Sequence, residues 1–168
     1  MKQKRPIDSG DCLLLAKASR HAAARDDFLG TLDTVAARTV GHRLFTVSLF
    51  HPSEMELERV YSSMESAYGV GGRKAKGPTP WTETVLVKGD LFLGRDEADI
   101  RAAFDDHETI IGLGLGSIIN VPVRLGPAIL GTMNLTHEGG WYDDRDLDGA
   151  TVLGAFLAPW LCMMRSGR

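Results

Sequence analysis

The chain has 168 residues, a length that suits one domain, since domains cluster near about 100–150 residues. With 43% hydrophobic and 24% charged residues it can bury a core without disulfides or metal, which excludes bulk disorder. A formal net charge of −3 argues against a nucleic-acid partner, which a basic stripe would mark.

The basic start carries Lys2, Lys4 and Arg5, but the apolar run that follows at 12–18 is short and interrupted by Lys17. No signal peptide or membrane span is therefore expected, and a soluble, cytoplasmic protein is. The two cysteines, Cys12 and Cys162, stand at opposite ends of the chain without a CxxC pair, which reads as a reducing compartment. The five histidines are scattered, so neither a metal set nor a cofactor is evident.

Residues 11–25 favour a first helix through Leu13 to Ala16 and Ala22 to Ala24. A second helix follows the acidic pair Asp26 and Asp27, with Phe28, Leu29, Leu32, Val35 and Ala36 at helical spacing and Gly41 as its stop. At 44–50 the period changes to two: Phe45, Val47 and Leu49 alternate with Thr46 and Ser48. The alternation returns at 56–63 through Leu57, Val60 and Tyr61, so the two runs predict a hairpin.

Residues 69–80, dense in Gly and Pro and carrying Arg73, Lys74 and Lys76, predict a surface loop. A short helix or turn at 81–87 and a short strand at 91–93 follow. Residues 97–106 then place Ile100, Ala103 and Phe104 on one helical stripe, and Gly112, Gly114 and Gly116 mark a turn. Two clear strands are predicted at 117–123 and 128–137, joined by a turn at 124–127, with Pro122 suited to an edge or an interrupted ladder. The last helix opens at 143–148; its stripe of Leu147, Ala150, Gly154, Leu157 and Leu161 leaves room for a close neighbour, and Pro159 predicts a kink. This order lacks regular βαβ alternation, so an α+β fold with an antiparallel sheet is expected.

The pair Ser117-Ile118-Ile119-Asn120-Val121-Pro122-Val123 and Leu130-Gly131-Thr132-Met133-Asn134-Leu135 resembles the central strands of GAF domains. Arg59 to Ser63, Gly71 to Lys74, Thr79-Pro80-Trp81 and Gly139 to Tyr142 are similar to segments of stand-alone bacterial GAF proteins. The likeness runs from Asp26 to Met164, giving a GAF domain at 26–168 after an N-terminal helical segment at 1–25. The resemblance implies an antiparallel sheet of about six strands with the terminal helices on one face and a ligand pocket on the other, and a homodimer formed through those helices. It also implies a sensor or regulatory role, with a separate protein as output. Methionine sulfoxide reductases of this type and bilin-binding members use pocket cysteines, and cyclic-nucleotide members an Asn-Lys-x-Asp pattern; this chain has neither in the pocket segments.

The candidate ligand-binding residues are Tyr61, Arg73, Lys74, Trp81, Phe104, His107, Ser117, Asn120 and Asn134. Arg73 and Lys74 offer charge and donors to an anionic or amphipathic metabolite, or simply face water. Trp81 is either a flat pocket wall or core packing. Asn120 and Asn134 on the central strands contact a ligand or pin the sheet. His107, between Asp106 and Glu108, is the one acid–base candidate with Asp106 as helper, against capping of a helix end. Three functions stay open: a ligand sensor, a small acid–base enzyme, and a dimerising domain without ligand.

Overall fold

The computed structural model describes residues 4–167, which leaves Lys2 and Arg168 outside the described residues. Helix α1 (Ser9–His21) starts at a reciprocal cap: the Asp8 carboxylate accepts from Asp11 N and the Asp11 carboxylate from Asp8 N. The chain breaks at 22–24 despite its alanines, because the Asp27 carboxylate accepts from Ala24 N and opens helix α2 (Arg25–Thr39) there. Both helices join one core: Leu15 of α1 is as fully buried as Phe28, Leu32 and Val35 of α2.

Strands β1 (Leu44–His51), β2 (Glu56–Ser62), β3 (Arg73–Ala75), β4 (Phe92–Gly94), β5 (Ser117–Leu125) and β6 (Ala128–His137) form one antiparallel sheet in the order β3-β2-β1-β6-β5-β4. The expected hairpins are both present. The basic segment departs from a plain loop, since three of its residues pair with β2 as the edge strand β3. Pro122 sits where β4 no longer runs beside β5: that pairing covers only Ile118 to Asn120.

The period of two divides the sheet into unlike faces. Phe45, Val47 and Leu49, with Ile119, Val121, Val123, Met133 and Leu135, pack under α1, α2 and the last helix, α6 (Leu147–Arg165). Thr46, Ser48, Asn120, Thr132, Asn134 and Thr136 face the other way. Over that second face lie α3 (Pro80–Thr82) with a π-helical continuation at Glu83–Lys88, α4 (Glu97–Ala103) and α5 (His107–Gly112). The sequence pattern does not announce α5, a six-residue turn of helix within the glycine-punctuated stretch.

By length and composition the segment containing α6 is apolar enough to cross a membrane; here Ala150, Leu153, Gly154, Leu157 and Leu161 are buried against the sheet. The close neighbour of Gly154 is Val121 of β5: a Cβ on residue 154 would stand 2.9 Å from the Val121 Cγ1. That stripe is therefore core within one chain, and a dimer, if formed by α6, uses its outer surface.

Candidate functional site

The second face of the sheet underlies a cavity of about 430 Å³. Its floor is a chain of polar side chains. Trp81 Nε1 donates to Asn120 Oδ1 at 2.9 Å, Asn120 Nδ2 to Asn134 Oδ1 at 2.7 Å, and Asn134 Nδ2 to Thr46 Oγ1 at 3.0 Å and Thr132 Oγ1 at 3.4 Å. The register builds this floor, because Asn120 lies opposite Asn134 on β5 and β6, and Asn134 lies opposite Thr46 on β1.

Local sequence places Trp81 at one end of that chain. Thr79 caps the helix by accepting from Thr82 N at 3.1 Å, and Pro80 fills the first helical position, where its missing N–H costs nothing. Trp81, the next residue, points inward, is 5% exposed, and packs on Phe104 at 6.0 Å between ring centroids. The remaining walls are apolar: Leu44, Leu57, Phe104, Ile110 and Ile118.

The mouth is cationic. Arg59, Arg73, Lys74 and Lys76 line it against one carboxylate, Asp106. Opposite Leu57, which faces the cavity, β3 places Lys74, whose Nζ lies 3.5 Å from the Asp106 carboxylate. Arg73 lies opposite Glu58 and at the rim; its guanidinium is 3.4 Å from Glu58 and 3.8 Å from Glu56. The Arg59 Cζ lies over the Tyr68 ring, 4.9 Å from its centroid, and Nη1 donates to Gly69 O at 3.1 Å, while the buried Nε has no partner among the described residues. Lys76 sits 5.0 Å above the Trp81 ring. Burial lowers the pKa of both Arg59 and Lys76, for Lys76 with the help of nearby Lys74. Burial, then the charge of Asp106, pushes the Tyr68 phenol up to about 12, and its hydroxyl donates to Asp106 at 3.3 Å.

Seven of the ten residues singled out by sequence line this cavity: Arg73, Lys74, Trp81, Phe104, Asp106, Asn120 and Asn134. Three do not. Tyr61 is turned to the helix face by a β-bulge: β1 residues Val47 and Ser48 pair with Tyr61 and Arg59, leaving Val60 as the extra residue. Its hydroxyl donates to Asp33 of α2 at 2.7 Å, and burial followed by that carboxylate raises its pKa. Ser117 is fully buried at the start of β5 and donates to Glu138 O at 2.8 Å. His107 opens α5 beside the cavity, not in it, with a buried Nδ1 that has no partner among the described residues. His107 and Asp106 thus do not form an acid–base pair facing a bound molecule. Cys12 and Cys162 are free thiols on α1 and α6, away from the cavity.

The sequence reading gave no site role to Arg59, Tyr68, Thr46, Ser48 or Thr132, and Lys76 entered it only as part of the basic loop. The alternation in β2 carries the signal for Arg59, two residues beyond Leu57 on the same face. Thr46, Ser48 and Thr132 are equally readable as the polar partners of the core-facing alternation.

No protein-family model matches the sequence, and no curated protein matches it. Solved structures do. The GAF domain of a phosphoenolpyruvate-protein phosphotransferase from Coxiella burnetii superposes with a TM-score of 0.75 at 10% identity, over 94% of this chain and 94% of that one. The GAF domain of a two-component sensor histidine kinase from Bacillus halodurans gives 0.71 at 16% identity, over 88% of this chain and 100% of that one. This chain has the GAF fold. The phycocyanobilin-bound GAF domain of a cyanobacterial phytochrome is similar too, with a TM-score of 0.70 and 17% identity over 96% of this chain and 99% of that one. The cavity of this GAF fold lies on the sheet face opposite α1, α2 and α6.

Proposed function

We propose that the protein is a sensory module that binds a small anionic or amphipathic metabolite in the cavity above the Asn120–Asn134 floor. The observation that carries this reading is the charge of the mouth. Of the four cations that line it, Arg73 faces Glu58 and Glu56 and Lys74 faces Asp106, which leaves Arg59 and Lys76 as excess positive charge in a chain whose net charge is −3. The volume of about 430 Å³ is ample for a compact ligand. The sensory reading is supported by fold neighbours that belong to a sensor histidine kinase and a phytochrome. We place its action in the cytoplasm, as a homodimer that contacts a separate output protein; the exposed Leu13 and Leu14 on α1 and Met163 on α6 are available for such contacts.

The enzyme reading falls behind, because His107 does not line the cavity and Asp106 is engaged with Tyr68 and Lys74. Two measurements test the proposal: native mass spectrometry of purified protein for a co-purified molecule, and thermal melting with a library of metabolite anions. A ligand a hundredfold over its dissociation constant stabilises by about 2.7 kcal/mol. A library without a single stabilising compound, together with an empty mass spectrum, would overturn the reading.

A further inference from the structure

The floor is a directed chain of hydrogen bonds, and one residue sets its direction. The Trp81 indole N–H donates and never accepts, so the Asn120 amide must turn its oxygen toward it. Asn120 is then left with its NH2 for Asn134 Oδ1, and Asn134 with its NH2 for Thr46 Oγ1 and Thr132 Oγ1. Both hydroxyls accept in this chain and keep their own protons, for which the described residues supply no acceptor. The chain therefore ends on O–H donors.

The mouth also presents donors. Arg59 has an unpartnered buried Nε, and Lys76 has no carboxylate within ion-pair distance among the described residues. The one acidic group there, Asp106, already accepts from Tyr68 and faces Lys74.

Resting on the ligand-binding reading above, we infer that the ligand carries acceptors at both ends: a carboxylate for Arg59 and Lys76, and an uncharged carbonyl oxygen for Thr46. An apolar stretch between them lies along Leu44, Leu57, Ile118 and Phe104. With Arg73 facing Glu58 and Glu56 and Lys74 facing Asp106, Arg59 and Lys76 are the cations left to take the carboxylate. Short oxo acids meet this description. Acids with an ammonium group at the far end fit it less well, because the floor offers hydroxyls and amides but no carboxylate to pair with the charge. Trp81 is a positioning residue in this scheme: it acts on the far end of the ligand by fixing which way two amides point.

The test uses matched carboxylates of three lengths: 4-oxopentanoate, 6-oxoheptanoate and 4-acetylbenzoate, each against the analogue in which the ketone is an amine and the one in which it is a methylene. Isothermal titration gives dissociation constants for the purified protein and for Trp81→Phe and Thr46→Val, with circular dichroism to show that each variant is folded. In the series that binds best, the oxo acid should bind about tenfold more tightly than its amine, because the fixed amides leave the Thr46 proton for a carbonyl oxygen and no carboxylate on the floor meets an ammonium. Trp81→Phe frees both amides to turn over, so it should shrink that preference to about threefold or less while the carboxylate remains required. Thr46→Val should weaken the oxo acid without weakening the methylene analogue.

Equal binding of oxo acid and amine, or a preference untouched by Trp81→Phe, would overturn the inference. So would failure of all nine acids at about 10 mM when the metabolite library has yielded a ligand of another chemistry. Failure of the acids and of the library together would instead remove the ligand-binding reading on which the inference rests.

Discussion

The two faces of the sheet are built from alternate residues of the same strands, yet they solve different problems. On the helix face Phe45, Val47, Met133 and Leu135 are shut off from solvent and close the core with α1, α2 and α6. On the other face their immediate neighbours Thr46, Ser48, Thr132 and Asn134 lay hydrogen-bonding groups under an open volume. The first face holds the apolar core and, on the proposed reading, the second holds the ligand, so the period of two lets substitutions address each in turn.

Substitutions on the two faces should separate these properties. Phe45→Ala on the helix face should cost about 4 kcal/mol of unfolding free energy, read by urea titration, with ligand binding unchanged in the folded fraction. Acid should strike the same face. Burial, then the charge of Arg43, lowers the His137 pKa to about 4, and its Nδ1 accepts from Glu138 N. The unfolded chain takes up this proton near pH 6.5 and the folded chain only near 4, so the contribution of His137 is whole above pH 6.5 and lost as the pH falls toward 4. The loss should be on the order of 2 kcal/mol and should be absent from the pH–stability curve of His137→Leu.

On the cavity face Asn120→Leu leaves the Trp81 N–H without an acceptor and should cost about 2 kcal/mol while also abolishing the floor. The sharpest contrast lies two residues apart on β2. Tyr61→Phe removes the 2.7 Å bond to Asp33 and should lower stability by about 1 kcal/mol with no effect on binding. Arg59→Met should change stability by less than about 0.5 kcal/mol and weaken carboxylate binding more than any other single change at the mouth. If Tyr61→Phe weakened binding and Arg59→Met did not, the assignment of the two faces would be reversed.

The two hairpins and the long helices were legible because their periods run for seven residues or more and meet turn residues at each end. The cavity was only half legible. Asn120 and Asn134 stand out as polar breaks in apolar strands, but Tyr61 continues the alternation of β2 in sequence and loses it in space. A bulge inserts one residue without any composition of its own, so periodicity alone assigns Tyr61 to the wrong face. For His107 the obstacle was different: its charged neighbours marked it as chemical, whereas the turn into α5 decides where its ring goes.

The contact between Gly154 and Val121 has a mechanical side. Val121 follows Asn120 on β5, so one peptide unit joins the residue at the centre of the cavity floor to the residue pressed against α6. A Cβ built at 154 would stand 2.9 Å from the Val121 Cγ1, so the glycine is what lets helix and strand come this close. A shift of β5 at the floor would pass through one peptide unit to the residue packed on the long helix. The helix that closes the core is in this sense the back of the cavity floor, with one strand between them.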